Sequence, residues 1–222
     1  MGRVHIVGCG RFGQRALEFY RTENKSESLV LVDSEPDNLA AAAAVMAGSG
    51  TQFITDSRDG AVYLCELLND VKSYRDDWII PTVPMHLAFA VLAQVTGRQR
   101  LAWKSNPGLP NTFFGERDEL CSSLADFICP EACPQPRKYC YHTREKRDPS
   151  LLKLLAGMDY KIDGVRLPSI ILASSQIAPG LGGFPLRRLL RIIDFIQKKC
   201  SGPLLFSTAC RCHGVTNILA GS

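Results

Sequence analysis

The sequence predicts an α/β protein built on a parallel sheet whose strands alternate with helices. Three observations carry this. Val4, Ile6 and Val7 form a short β-branched run that stops at Gly8, and a helical pattern of Phe12, Ala16, Leu17 and Phe19 begins at once. Further apolar runs at residues 29–32, 52–55 and 78–81 alternate with helical patterns at the spacing of βα units. The alternation returns near the C-terminus, where runs at 169–173 and 203–206 flank an amphipathic stretch at 184–199.

The first strand is marked by the turn at its end. That turn reads Gly8-Cys9-Gly10-Arg11-Phe12-Gly13, the G-x-G-x-x-G spacing between a strand and a helix. Gly8 suits a tight turn, Gly10 lets a pyrophosphate approach bare backbone, and Gly13 lets the helix sit close on the strand. The helix N-terminus offers unpaired N–H groups to an anion. The second run, Leu29–Val32, ends in Asp33, twenty residues after Gly13, where a dinucleotide fold places the carboxylate that binds a ribose hydroxyl. Together these features predict a Rossmann-type domain in which Gly8, Gly10, Arg11, Phe12, Gly13 and Asp33 bind the cofactor. A carboxylate at position 33 repels a 2′-phosphate, and no Arg or Lys stands in residues 34–37, so NAD is expected rather than NADP.

Val7-Gly-Cys-Gly-Arg-Phe-Gly13 with Leu31-Val-Asp33 resembles the nucleotide-binding half of the regulator-of-potassium-conductance (RCK, or TrkA-N) family. The resemblance covers residues 1–60 and is shared more loosely with dehydrogenases. It implies NAD(H) binding, a role in sensing rather than catalysis, and assembly as a homo-oligomer.

The remaining elements come in order. Residues 34–37, Ser-Glu-Pro-Asp, read as a helix start with capping-box spacing, and an alanine-rich helix runs from there to Gly48. Residues 61–68 form an apolar-periodic helix before the fourth strand, and Pro84 and His86 open another helix through Val95. His86 stands just past a strand end, where it would meet the nicotinamide end of a cofactor and could pass a proton; a first-turn polar residue is the plainer reading. The stretch 78–93 is apolar but broken by Pro81, Pro84 and His86, so no membrane insertion is expected. The N-terminus enters a core strand without a leader, so a cytoplasmic location is expected.

From Asn106 the texture changes, and the expected boundary divides a dinucleotide-binding domain at 1–108 from a cysteine-rich connector and α/β segment at 109–222. The chain's net charge of +4 is concentrated beyond that boundary: 11 basic against 12 acidic side chains in residues 1–110, 15 against 10 in 111–222. Nine cysteines in a reducing compartment read as thiols, metal ligands or redox groups. Cys129, Cys133 and Cys140 lie at C-x₃-C-x₆-C in a proline-rich stretch too irregular for helix, which suits ligands on a loop. Thiolates favour an iron–sulfur cluster or zinc, with Cys210 and Cys212 completing the candidate metal set and Cys121 and His142 as further sources of a ligand.

Arg137, Lys138 and residues 144–147 surround Cys140, but Glu145 and Asp148 interrupt the basic run. A solvated face is the reading, and nucleic acid is not expected as a partner. Residues 176–183 read as a glycine-rich loop ahead of the last helix, without the Lys-Ser or Lys-Thr of a triphosphate site. Arg187 or Arg188 could hold a carboxylate or phosphate. Parallel strands at 169–173 and 203–206 would bring Ser174, Ser175 and that loop beside Cys210, Cys212 and His213. Cys212 with His213 offers a thiolate–imidazolium nucleophile, though metal ligation suits C-x-C-H better. The expectation is an NAD-dependent oxidoreductase or related metabolic enzyme acting on a small-molecule substrate, with His86, Cys212 and His213 as catalytic candidates. A non-catalytic NAD-sensing regulator is the alternative.

Overall fold

The computed structural model describes residues 2–23, 28–69 and 76–222. It is a mixed α/β structure with two large sheets. The first holds β1 (Val4–Val7), β2 (Leu29–Val32), β3 (Phe53–Asp56) and β4 (Trp78–Pro81), in the order β3-β2-β1-β4 and all parallel. A late hairpin, β11 (Ser175–Ala178) and β12 (Leu181–Pro185), then adds to the β4 edge, with β12 antiparallel to β4 through Phe184 opposite Ile79.

Strict alternation along the strands assigns the two faces. Val4, Ile6, Leu29 and Leu31 pack on α1 (Arg11–Thr22) and α2 (Pro36–Met46), against Leu17, Tyr20, Leu39 and Met46. Val7, Val30, Val32 and Ile79 face the other way, onto α3 (Gly60–Asn69), α4 (Leu87–Thr96) and α6 (Leu186–Lys199). Each predicted helix in this region is present. The start of α2 differs: its N-cap is Glu35 rather than Ser34 and no side chain caps it, while Asp33 just before it is bonded to the glycine turn and to the Glu35 amide.

The second sheet runs β10-β13-β14-β7-β6: β10 (Ser169–Ala173), β13 (Leu204–Ala209), β14 (His213–Leu219), β7 (Leu120–Ser123) and β6 (Phe113–Phe114). β10 and β13 are parallel neighbours, as the sequence implies, and the rest are antiparallel. β5 (Arg100–Leu101) also pairs with β14. This sheet covers the outer side of α4 and α6 through Leu172, Leu204, Phe206 and Leu219. α5 (Leu151–Ala156) seals its far face against Leu205, Ala209 and Ile218.

The stacking explains the apolar stretch at 78–93. α4 is clamped between two sheets, so Leu87, Ala88, Phe89, Val91 and Leu92 are all buried and the helix needs no polar stripe. Among the described residues no helix is long and apolar enough to cross a membrane. The layering also bears on the boundary expected after residue 108: β5, from before it, joins the second sheet, while β11 and β12, from after it, complete the first.

Candidate functional site

The site grows from the turn after β1. Gly8 has φ +101°, a conformation that side chains rarely adopt, and it folds the chain back so that the Gly8 carbonyl meets α1. A Cβ at Gly13 would fall 2.1 Å from that carbonyl oxygen, so only glycine lets the helix approach this closely. The Thr82 hydroxyl donates to the Gly8 carbonyl at 2.6 Å and fixes the end of β4 to the turn. Above Gly10 the space is open, and a Cβ there would meet nothing within 4 Å. Among the described residues the amides of Arg11, Phe12 and Gly13 have no acceptor, so the positive end of α1 points outward.

A cavity of about 370 Å³ opens there. Gly10, Arg11, Phe12 and Arg15 form one wall, and residues 81–84, at the end of β4 and just beyond it, form the second. The third wall is the β11–β12 hairpin, through Gly180, Leu181 and Gly182. The cavity therefore lies at the carboxyl ends of β1 and β4, where the connections leave the sheet in opposite directions and a crevice must form. The expected glycine-rich loop at 176–183 is this hairpin: Gly183 is a strand residue whose Cβ would sit 2.7 Å from the Ile79 carbonyl oxygen, so its smallness serves pairing rather than anion capture. Arg187 and Arg188 are otherwise engaged, with Asp76 at 2.7 Å and with the Ala173 carbonyl.

Asp33 braces the turn. Its Oδ2 accepts the Cys9 amide at 2.6 Å and the Asn38 side chain at 3.2 Å, and its Oδ1 accepts the Glu35 amide at 2.9 Å. A carboxylate offers about four lone-pair positions, which leaves room for one further donor. Burial, with the Asp33 charge adding to it, pushes the Cys9 thiol up to about 12, so that cysteine is a packing residue.

The cysteine-bearing segment lies against this cavity. Glu131 reaches Arg15 at 3.5 Å, and the Gln176 side chain donates to the Cys133 carbonyl at 2.8 Å, so the loop docks on both α1 and the hairpin. The strand end after β13 meets the same loop: the His213 ring lies 3.4 Å from Cys129 Sγ through Nε2 and 3.8 Å from Cys210 Sγ through Nδ1. Burial opposes ionisation of Cys210, but the His213 ring and the amides of Cys212 and His213 outweigh it and hold the thiol below its ordinary value. Burial likewise works against Cys140, yet the Thr143 amide, the Arg147 guanidinium, the Thr143 hydroxyl and the His142 amide bring it down to about 6. Cys129 is raised by burial and by the neighbouring thiols of Cys133, Cys140 and Cys210. Among the described residues, no three His, Cys, Asp or Glu side chains are placed so as to hold a metal ion.

Residues 78–222 match the family described as AF_1314_C, uncharacterized protein, C-terminal domain. The chain belongs to that family. The match begins at β4 and takes in two walls of the cavity, the whole cysteine segment and the second sheet. Over 230 residues the chain is 27% identical to an uncharacterized protein of Archaeoglobus fulgidus, an alignment covering 96% of this chain and 97% of the relative. No solved structure matches.

The expected catalytic residues His86, Cys212 and His213 have these surroundings. His86 is buried under the second sheet with Nδ1 2.8 Å from Asn217 Oδ1 and Nε2 2.9 Å from the Thr208 hydroxyl, its ring stacked on Phe206. Both nitrogens are committed to partners inside the protein. Cys212 is pushed up to about 11, by burial first and then by the Cys210 thiol, and the contacts of His213 are to Cys210 and Cys129 instead. Adjacent residues on a strand entry point apart, which is why position 210 rather than 212 meets the imidazole. Sequence reasoning passes over Arg15 and Thr82 and takes Arg147 only as part of a solvated basic run; tertiary contact gives each its role.

Proposed function

We propose that the chain binds a nicotinamide adenine dinucleotide, NAD(H), in the cavity between the glycine turn and the β11–β12 hairpin. The observation that carries this reading is the set of unpaired amides at the start of α1, facing open space above Gly10 and flanked by Arg11 and Arg15. The parallel order β3-β2-β1-β4 supports a Rossmann-type half-sheet in which an antiparallel hairpin stands where further parallel strands would continue. Asp33, at the end of β2, favours NAD over NADP by repelling a 2′-phosphate. The cysteine segment docked beside the cavity supports an oxidoreductase role on a small-molecule substrate.

One observation favours the second reading, an NAD-sensing protein of the kind that residues 1–60 resemble. Among the described residues, the cavity walls are built of glycine, proline and apolar side chains with Thr82, Arg11 and Arg15, and include no carboxylate, imidazole or thiol.

Calorimetric titration of NAD, NADH and NADP tests the binding. Gly10→Val is the informative variant, because a Cβ at this position meets nothing within 4 Å and the branched side chain would occupy the approach to the amides. Micromolar NAD(H) binding that Gly10→Val abolishes in a folded protein is the expected result. Equal binding in both proteins would overturn the reading. Turnover of NADH with a small electron acceptor would then select the oxidoreductase, and NADH-dependent change in oligomeric state without turnover would select the sensor.

A further inference from the structure

One imidazole stands between two thiols that come from distant parts of the chain. His213 begins β14, and its ring lies 3.8 Å from Cys210 Sγ through Nδ1 and 3.4 Å from Cys129 Sγ through Nε2. The sulfurs therefore sit on opposite nitrogens of the ring instead of converging on one point, which suits proton transfer better than metal ligation. A neutral imidazole has one bare nitrogen and one N–H, so it can take the proton of one thiol while donating to the other, and as imidazolium it donates to both.

The two thiols are not equivalent. Cys210 Sγ also receives the His213 amide at 3.3 Å and the Gln135 side-chain amide at 3.0 Å, so an anion formed there meets donors already in place. Its backbone is held in the tight turn between β13 and β14, where the Cys210 amide donates to the His213 carbonyl at 2.9 Å and Ala209 pairs with Gly214. Nucleophile and base are thus fixed relative to each other by the turn itself. Cys129 stands on no helix or strand, in the irregular stretch between β7 and α5, so it can shift towards Cys210 without breaking a sheet. The ring is exposed and both sulfurs are half-buried, an opening that suits a small molecule better than a folded partner.

We propose that Cys210, with His213 as its base and Cys129 as its second thiol, forms a dithiol site that exchanges with small disulfides. The Cys210 proton passes to His213, and Cys210 Sγ attacks one sulfur of the substrate. A Cys210–substrate disulfide forms, the substrate's own S–S bond breaks, and the departing thiolate takes the proton from the imidazolium. Cys129 then gives its proton to the same ring and attacks Cys210 Sγ, expelling the second half of the substrate, which leaves as a thiol with that proton. Two protein thiols become one Cys129–Cys210 disulfide, and one substrate disulfide becomes two thiols. The second thiol selects this chemistry: acyl or alkyl transfer to Cys210 has no use for it, whereas a mixed disulfide is resolved by it. The inference is independent of nucleotide binding.

The test is reaction of the full chain, reduced and then freed of reductant under anaerobic conditions, with one equivalent of a dipyridyl disulfide, which releases an absorbing thione. Both halves of the reagent should appear in a fast phase, and non-reducing peptide mass spectrometry should find Cys129 joined to Cys210. Cys129→Ser should stop at the mixed disulfide on Cys210 and release half as much thione in that phase. Cys210→Ser should lose the fast phase and His213→Gln should slow it at least about tenfold, while Cys65→Ser and Cys200→Ser keep it. The wild-type peptide map needs no variant, so misfolding of any one variant leaves the test standing. Reagent spread evenly over the thiols, a fast disulfide between any other pair, or a fast phase unchanged in folded Cys210→Ser or His213→Gln would overturn the proposal.

Discussion

His86 shows how far burial can redirect a residue whose sequence position suggests chemistry. Burial first, and then the Arg100 charge, push its imidazole down to about 4, although the Asn217 bond favours the charged form. In the unfolded chain the same group titrates near 6.5. Between these values the unfolded state binds the proton and the folded state does not, so stability is full above pH 6.5 and falls as the pH drops towards 4, by at most about 3 kcal/mol. Urea titrations at pH 7.5 and pH 5 should show this loss in the wild type. His86→Gln should cost roughly 1–2 kcal/mol at pH 7.5 through its altered bonds to Asn217 and Thr208, yet flatten the pH dependence; an equally steep wild-type and mutant profile would place the titration elsewhere. The glycines divide in the same way by their surroundings. Gly13→Ala drives a methyl into the Gly8 carbonyl and should cost roughly 1–3 kcal/mol. Gly10→Ala meets nothing and loses only N-cap preference, under roughly 1 kcal/mol. Denaturation midpoints of the pair separate a packing glycine from one kept for access.

Elements are legible in the sequence where period and punctuation agree. The first four strands, the helices between them and the amphipathic α6 emerge from apolar runs ended by Gly, Pro or Asp, because each buries a whole face against one neighbour. β8 (Lys161–Ile162) and β9 (Val165–Arg166) escape such a reading, since two-residue strands carry no period; the Asp163-Gly164 turn between them, both residues at positive φ, is the signal available. The hairpin β11–β12 reads as a loop because its glycines look like punctuation, whereas Gly183 is small in order to fit beside Ile79. The membership of the cysteine neighbourhood is visible in the sequence, but the selection of Cys210 over Cys212 depends on turn geometry that spacing does not encode. Arg98 illustrates an element joint of the same kind. Its guanidinium donates to the carbonyls of Ala220 at 2.5 Å, Gly202 at 2.6 Å and Cys200 at 3.0 Å, tying the end of α4 to the end of α6 and to the C-terminal residues. A lysine has one point of charge where three diverging carbonyls need a fork. Arg98→Lys should therefore lose roughly 1.5–3 kcal/mol, nearly as much as Arg98→Ala, as read by thermal unfolding; full rescue by lysine would show that charge alone matters.

At the scale of the whole molecule, the two sheets share one layer of helices and exchange strands across it. Truncation after Gly108 would remove β12 from the edge of β4, α6 from beside α4, and the whole second sheet apart from β5. Ile79, Phe89, Val91 and Leu92, all fully or almost fully buried in the intact chain, would face water in the fragment. A large exposed apolar face of this kind drives association rather than independent folding. The fragment 1–108 should consequently be insoluble or melt without a cooperative transition, while the full chain unfolds in a single transition by circular dichroism and intrinsic fluorescence. Nucleotide binding should disappear with it, because Gly180, Leu181 and Gly182 supply a wall of the cavity even though the glycine turn is intact. Co-expression of 1–108 with 109–222 should restore a soluble complex, since the missing strand and helices return in the partner. A soluble, monomeric 1–108 with a sharp melt and unchanged NAD(H) affinity would mean that the first four strands form a self-sufficient domain and that the hairpin is an accessory to it.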